Sequence, residues 1–132
     1  MNKNDNTVNV CPFCHINDNQ IIYQDDLVMS IRDGYPLSVG HTLIIPKRHI
    51  ASLFDATDEE QMALLQALRT LKIELTQQYA PDGYNIGIND GLAAGQTVLH
   101  LHIHLIPRYT GDCTDPRGGV RWIFPEKAVY WL

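Results

Sequence analysis

Three histidines on alternate positions stand out in an apolar segment of the chain. His100, His102 and His104 are three of the six histidines, and they lie in the segment VLHLHIHLIP. Successive side chains of a β-strand point to opposite faces, so a strand over residues 98–107 would align the three imidazoles. The leucine and isoleucine residues between them would face the other side of the sheet. We therefore predict a strand that presents a row of imidazoles on one face.

Such a row can do two kinds of chemistry. Two imidazoles about 6.7 Å apart on one strand face can bind a catalytic metal ion together with a third ligand from elsewhere. Alternatively, one imidazole is a nucleophile and its neighbours fix its tautomer and the surrounding charge. The turn of Gly95, Gln96 and Thr97 directly before the row offers donors that can bind an anion. Donors beside a nucleophilic imidazole favour phosphoryl or nucleotidyl transfer over a bare metal site.

A second candidate site begins at Cys11 and Cys14, which are two of three cysteines in the chain. In a reducing compartment this spacing is typical of metal ligation or of a redox pair rather than of a disulfide framework. No helix pattern starts at this pair to activate a thiol, so we favour metal ligation over redox chemistry. Two buried cysteines that bind no metal are the alternative. His15 is a competing candidate ligand, and Cys113 has no obvious partner.

Length, composition and charge limit the class of protein. The chain has 132 residues, of which 45% are hydrophobic, enough for one domain with its own core. No apolar run approaches the roughly 20 residues that span a bilayer, and the N-terminal sequence lacks the apolar core of a signal peptide. We therefore expect a cytoplasmic protein that binds no membrane. The formal charge of −5 argues against an extended surface for a nucleic acid polymer.

The hydrophobic patterns indicate an α+β domain. One amphipathic helix is predicted to begin after Thr57, whose capping box includes Glu60, and to end before Pro81. We assign this helix no chemistry. The predicted strands cover residues 20–24, 27–32, 41–46, 84–89 and 98–107, and the first two form a hairpin around Asp25-Asp26.

These elements predict a five-stranded, mainly antiparallel sheet with one long helix and one or more short helices. Residues 1–10 are polar and unpatterned, so we expect a flexible N-terminal tail there. Residues 11–132 are then a single domain.

Two blocks of the sequence resemble the histidine triad (HIT) family of nucleotide hydrolases and transferases. The block GHTLIIPKRHI at residues 40–50 is followed by NDGLAAGQTVLHLHIHLIPRYTGD at residues 89–112, with the histidine pattern at residues 100–106. The tail PRGGVRWIFPEKAVYW is similar to one in bacterial members related to diadenosine polyphosphate hydrolases. The resemblance implies a HIT-like fold and a homodimer whose sheets continue across the interface.

The resemblance also implies a mechanism. His102 would attack the α-phosphorus of a dinucleoside polyphosphate or a nucleoside phosphoramidate, and water would hydrolyse the resulting nucleotidyl-histidine to release a nucleoside monophosphate. The other ring nitrogen of His102 would donate to a backbone carbonyl of the same strand. His41 and His104 would flank the phosphate and donate hydrogen bonds to its oxygens.

Further positions match substrate-contacting residues of the family. Gln96 and Thr97, in the turn that starts at Gly95, would contact the α-phosphate or the leaving group, and Asn89 would contact a phosphate. Asp33 would accept hydrogen bonds from the ribose hydroxyls, and Ile31 would form a wall of the base pocket. Taken alone, Asn89 is more typical of a turn that its side chain stabilises and Ile31 of ordinary packing, and Asp33 is compatible with a turn residue as well.

The resemblance further implies a structural zinc site. In zinc-bearing members the ligands that join the cysteine pair correspond to His49 and His100, so the expected set is Cys11, Cys14, His49 and His100. Four protein ligands close the coordination sphere, and the ion would then tie the N-terminal segment to the sheet.

Three arginines follow the histidine row. Arg108, Arg117 and Arg121 are candidates to reach the distal phosphates of a dinucleoside polyphosphate. Two other classes of function stay open from the residues alone. One is a metal-dependent hydrolase that uses the histidine row as ligands, and the other is a nucleotide-binding protein with little turnover.

Overall fold

The computed structural model describes residues 10–131. Five strands form one sheet in the spatial order β1-β2-β3-β5-β4, and every neighbouring pair is antiparallel. This confirms the predicted α+β class and the antiparallel sheet. The expected N-terminal tail lies, except for Val10, outside the described residues. The strands are β1 (Ile21–Gln24), β2 (Val28–Arg32), β3 (Thr42–Pro46), β4 (Gly83–Gly87) and β5 (Ile103–Arg108).

The β1–β2 hairpin turns where the sequence predicts it. One carboxylate oxygen of Asp25 accepts the backbone N–H of Leu27 at 2.8 Å and that of Val28 at 2.9 Å. A short acidic side chain that binds backbone donors two and three residues later stabilises a tight turn. The hairpin sets β2 beside β3, whose residues are all buried.

The long helix α1 (Asp58–Tyr79) begins with the predicted capping box. The hydroxyl of Thr57 accepts the Glu60 N–H at 3.1 Å, and the Glu60 carboxylate accepts the Thr57 N–H at 2.9 Å. The helix ends at Tyr79, because Ala80 adopts a left-handed conformation with φ of 49° and Pro81 follows. The buried face of α1 packs on one face of the sheet and forms the main core with Val28, Ile44, Leu101, Ile103 and Leu105.

The other face of the sheet, called here the open face, has a smaller apolar cluster. Ile31, Leu43 and Ile45 are buried there, and the partly buried side chains of Phe13, Ile16 and Met29 pack against them. Leu101, Ile103 and Leu105 face α1. The alternating residues His100, His102 and His104 therefore lie on the open face. The predicted alternation of the two sets is therefore confirmed.

The predicted limits of the last two strands are wrong. Strand β5 begins at Ile103 instead of residue 98, so His100 and His102 lie in an irregular segment ahead of it. Continuing the β3–β5 register would place Pro46 opposite Leu101, but Pro46 has no N–H to donate, and the N–H of Leu101 instead donates to the carbonyl of Ile50 at 2.6 Å. Strand β4 ends at Gly87 instead of residue 89.

The C-terminal part of the chain packs beside β4. It contains a 3₁₀ helix, Gly119–Ile123, and a one-turn helix α2 (Pro125–Ala128), which confirms the expected short helix. Ala128 is fully buried. Within residues 10–131, every helix is too short or too polar to span a bilayer.

Candidate active site and metal centre

The His102 ring is held by the backbone of the same segment. Its Nδ1 lies 2.8 Å from the carbonyl oxygen of His100. A carbonyl can only accept, so Nδ1 bears the ring proton and Nε2 of the neutral ring has a free electron pair. This is the tautomer that a nucleophilic imidazole needs.

His41 and His104 form a hydrogen-bonded pair whose proton positions follow from the backbone. The N–H of Leu37 donates to Nδ1 of His41 at 3.0 Å, so the His41 proton must be on Nε2. That Nε2 lies 2.9 Å from Nδ1 of His104. His104 therefore accepts at Nδ1 and has its own proton on Nε2. The pair presents an N–H donor beside the His102 ring, whose centroid is 5.2 Å from that of His104.

Both rings of this pair are neutral at neutral pH. Burial lowers the pKa of His41, and the nearby carboxylate of Asp33 only partly opposes this effect. Burial also lowers the pKa of His104, and the adjacent His102 and His41 rings lower it further. A neutral His104 can donate from Nε2 while it accepts at Nδ1.

Asp33 lies beside the histidine pair. One of its carboxylate oxygens accepts the N–H of Tyr35 at 2.8 Å, and the other lies 3.4 Å from Nε2 of His41 and 3.9 Å from Nδ1 of His104. Asp33, His41 and His104 are close enough to hold a metal ion. The N–H of Leu37 argues against this use, because it keeps the proton on the His41 nitrogen that would have to bind the metal.

The residues expected to contact phosphate differ in their surroundings. Asn89 and Thr97 are exposed, and Gly95 adopts a left-handed conformation with φ of 90° at the end of the short helix Leu92–Ala94. These positions are consistent with the expected anion-binding turn.

Gln96, which is expected to contact phosphate, is engaged by backbone groups in this structure. This side chain is buried, and all its polar atoms have backbone partners: Nε2 donates to the carbonyls of Ala51 and Val98, and Oε1 accepts the N–H of Gly91. Gln96 therefore holds the turn in place.

The expected wall of the base pocket lies in line with the histidine pair. Ile31 is paired with Leu43 across the β2–β3 ladder, and Leu43 is paired with His104 across the β3–β5 ladder. Opposed residues of neighbouring strands project from the same face of a sheet. Ile31 therefore lies on the same face as His104, but it is 7% exposed and covered by the apolar cluster of this face, so its part in a base pocket stays a prediction.

The second site brings together the four residues predicted to bind zinc. The ligand atoms of Cys11, Cys14, His49 and His100 all lie within 4.8 Å of one another. Nδ1 of His100 is 3.5 Å from each sulfur, Nδ1 of His49 is 3.2 Å from the Cys14 sulfur, and the two nitrogens are 3.1 Å apart. Tetrahedral zinc with these donors has ligand separations of about 3.3–3.8 Å, so small shifts of about 0.4 Å or less would bring these distances into that range.

One further observation favours a metal in this quartet, and a second argues against a redox pair. Nε2 of His100 donates to the carbonyl of Pro46 at 2.8 Å, which leaves an electron pair on Nδ1 and orients the ring as a ligand. Burial and the adjacent Cys11 thiol raise the pKa of Cys14 to about 11. A thiol with a raised pKa is a poor redox nucleophile, which agrees with the preference for metal ligation over redox chemistry. His15 lies outside the quartet.

The three arginines do not extend towards the histidines. Arg108 makes a bidentate pair with Asp112 at 2.8 Å and donates to Asn85 at 2.6 Å. Arg117 pairs with Asp115 at 2.9 Å and stacks on Trp131.

Arg121 donates to the carbonyls of Lys127 and Ala128 near the end of α2 and stacks on Tyr130. The suggested role of the arginines on distal phosphates is therefore not supported. Each guanidinium stabilises the C-terminal part of the chain, and Arg108 also contacts the exposed Cys113.

Three contributors to the site are absent from the sequence-based predictions. Leu37 acts through its backbone N–H and Pro46 through its carbonyl, and neither group leaves a signal in the sequence. Phe13 packs edge-on against His102 with ring centroids 5.0 Å apart. Phe13 lies in the sequence between the candidate ligands Cys11 and Cys14, and this position is a signal that could have identified it.

Comparisons with known proteins identify the family of the chain. A model of the HIT domain matches residues 15–111. An adenylylsulfatase of Arabidopsis thaliana is 37% identical over 109 residues, which cover 80% of this chain and 55% of that protein. The protein hit of Bacillus subtilis is 37% identical over 103 residues, or 75% of this chain and 71% of that protein.

A crystal structure of a zinc-bound histidine triad family protein from Mycobacterium smegmatis has a TM-score of 0.73 and 36% identity, covering 82% of this chain and 81% of that one. The family resemblance of the two sequence blocks is thereby confirmed: the chain belongs to the HIT domain family.

Proposed function

We propose that the protein hydrolyses dinucleoside polyphosphates or nucleoside phosphoramidates through a nucleotidyl-His102 intermediate. The observation that carries this proposal is the hydrogen bond from Nδ1 of His102 to the carbonyl of His100, which leaves Nε2 free to attack. A solvated surface histidine has no need of a fixed tautomer. The adjacent His104 donor supports the same proposal, because the phosphate of a nucleotide needs hydrogen-bond donors where negative charge accumulates.

In the first half of the reaction, Nε2 of His102 forms a bond to the α-phosphorus and the bond from phosphorus to the leaving group breaks. A polyphosphate leaves as an anion, and an amine leaves after it takes up a proton from solvent. His104 donates from Nε2 to the oxygens on which negative charge accumulates, and its orientation depends on His41. Asp33 and the turn at Gly95 hold the ribose and the phosphate.

In the second half, water attacks the same phosphorus and the bond to His102 breaks. The products are a nucleoside monophosphate, the regenerated imidazole and a proton released to solvent. Splitting one displacement into two allows the same group, Nε2 of His102, to serve as nucleophile and then as leaving group.

The quartet of Cys11, Cys14, His49 and His100 supports a structural zinc ion in this proposal. Zinc bound by four protein ligands has no open position for substrate, so its chemistry is to cross-link the N-terminal segment to the sheet. The cysteines are free thiols, which agrees with a reducing cytoplasmic location.

We also propose a homodimer formed through β4. This strand lies at an edge of the sheet, and Ile86 on it is 48% exposed. Ile86 borders an apolar groove of about 400 Å³ that Leu65 and Leu68 of α1 also line. Unpaired edge strands with apolar side chains favour pairing with another chain, and sedimentation equilibrium measures the resulting mass.

The test of the proposed reaction is the variant His102→Ala. We expect the wild-type protein to form a nucleotidyl adduct on the peptide covering residues 98–108, detected by mass spectrometry after acid-free quenching. The variant should lose both the adduct and turnover on a panel of dinucleoside polyphosphates and adenosine phosphoramidates. Unchanged turnover in the variant would refute the assignment of His102.

Two other outcomes identify the alternative functions. Tight nucleotide binding by the wild-type protein, without turnover of any substrate in the panel, would indicate a nucleotide-binding protein. Metal bound to His102 itself would indicate a metal-dependent hydrolase. The geometry does not favour the metal-dependent hydrolase, since both clusters of three or more metal-ligating groups among residues 10–131 leave His102 out.

A further inference from the structure

The metal quartet and the nucleophile share one residue. His100 points Nδ1 into the quartet, while its carbonyl accepts the Nδ1–H of His102 at 2.8 Å. Its Nε2 donates to the carbonyl of Pro46 at 2.8 Å, and the ring is fully buried. With both ring nitrogens engaged, His100 cannot turn without breaking a contact. The carbonyl that orients His102 is therefore attached to a residue that a bound metal would immobilise.

Phe13 is a second link between the two sites. It lies in the 3₁₀ turn Pro12–Cys14, between the ligands Cys11 and Cys14. Its ring packs edge-on against His102, with centroids 5.0 Å apart and an interplanar angle of 67°, and against His100 at 6.0 Å. A hydrogen bond at one nitrogen leaves an imidazole free to tilt, and a ring packed against it restricts that tilt.

We propose that the metal centre positions the nucleophile, so that Phe13 and His100 are positioning residues for His102. The proposal rests on the proposed function, because it assigns the metal an effect on the first half-reaction as well as on stability. A metal that only cross-links the chain would change the free energy of unfolding. It would not change the rate at which folded molecules form the adduct. A positioning metal changes the rate of adduct formation in protein that remains folded.

The first experiment compares Phe13→Leu with Phe54→Leu. Phe54 is 81% exposed and lies outside both sites, so the control makes the same chemical change at the surface. Phe13→Leu should keep one equivalent of zinc and a folded helix α1. Because small displacements of reacting groups slow catalysis strongly, we expect adduct formation to be roughly tenfold slower in Phe13→Leu and unchanged in Phe54→Leu.

The second experiment needs no turnover. In protein labelled with ¹⁵N, the Nδ1–H of His102 should give a sharp proton signal when zinc is bound, assigned by its loss in His102→Ala. Phe13→Leu with zinc bound, and wild-type protein stripped of zinc but still folded by circular dichroism, should broaden or lose this signal. His15→Gln replaces an exposed histidine outside the quartet, and it should retain both the zinc and the signal.

The outcomes separate the two proposals. Wild-type adduct formation and an intact His102 signal in zinc-loaded Phe13→Leu would overturn the positioning role, even if stripped protein unfolds. A lost signal in Phe13→Leu would support the role. Absence of an adduct in every form, including the wild type, would refute the proposed function while the His102 signal still decides whether the metal centre positions this ring.

Discussion

The hydrogen bonds from Leu37 to His41 and from His41 to His104 form a chain, called here the relay, in which each group fixes the proton position of the next. This relay predicts how substitutions of His41 and His104 combine. His104→Gln removes the ring that donates to the transferring phosphate. Loss of one such donor costs about 2.7–4 kcal/mol of transition-state stabilisation, so adduct formation should slow by about 10²–10³-fold. His41→Gln leaves His104 in place and removes only the partner that fixes its proton on Nε2.

The size of the second effect follows from the hydrogen bond that is lost. The contact between Nε2 of His41 and Nδ1 of His104 is 2.9 Å long and partly buried. A hydrogen bond within a protein contributes about 0.5–1.5 kcal/mol net, so His41→Gln should slow adduct formation by about twofold to thirteenfold. Because His41 acts through His104, the double variant should be no slower than His104→Gln alone.

The assay is the single-turnover rate of nucleotidyl-enzyme formation, measured by rapid quench with a dinucleoside polyphosphate. His15→Gln is the matched control, since it removes an exposed imidazole outside this relay. Effects of the two variants that multiply in the double variant would refute the relay, because His41 would then contact the substrate independently.

Two predictions concern stability near the site, and urea denaturation measures both. Gly40 has φ of +91°, and an added Cβ would lie 2.9 Å from a methyl carbon of Leu75, so Gly40→Ala should lower the unfolding free energy by about 2–4 kcal/mol. The side chain of Arg48 hydrogen-bonds to Glu60 and holds the pKa of that carboxyl at about 2. Because the pKa of Glu60 is lower in the folded state than in the unfolded state, its ionised carboxylate stabilises the fold at pH values above the ordinary glutamate pKa. This stabilisation is lost as the pH falls from about 5 to 2. At pH 7, Glu60→Gln should therefore be about 2 kcal/mol less stable than the wild type, a figure already reduced because Arg48 is exposed to solvent. The unfolding free energies of the two proteins should converge near pH 2.

Each stability prediction has a contradicting result. Wild-type stability of Gly40→Ala would mean that α1 moves away from this glycine without loss. A difference between Glu60→Gln and the wild type that stays constant from pH 7 to pH 3 would show that the ion pair with Arg48 is not its source.

The local features of the fold and the metal quartet could be predicted from the sequence. The capping box at Thr57 and the hairpin at Asp25 depend on partners within a few residues. The alternation through residues 100–105 is observed, with Leu101, Ile103 and Leu105 in the main core, although the backbone ahead of β5 is irregular. The family resemblance supplied His49 as a ligand, since no periodicity places it beside the cysteines.

The features that could not be predicted depend on partners distant in the chain. Gln96 has a polar side chain next to the histidines, and its backbone partners at Ala51, Gly91 and Val98 meet only in the folded protein. The start of β5 depends on the missing N–H of Pro46 and on the competing carbonyl of Ile50. Neither can be recognised from a residue's own neighbours.

The amide that orients His41 belongs to an exposed residue, since Leu37 is 76% exposed. Its side chain is therefore replaceable, while the main-chain donor is present in every amino acid except proline. In a mutational scan of position 37, charged, polar and aromatic substitutions should thus preserve activity, whereas proline should not. Such a position would look variable among relatives although the proton on His104 depends on it.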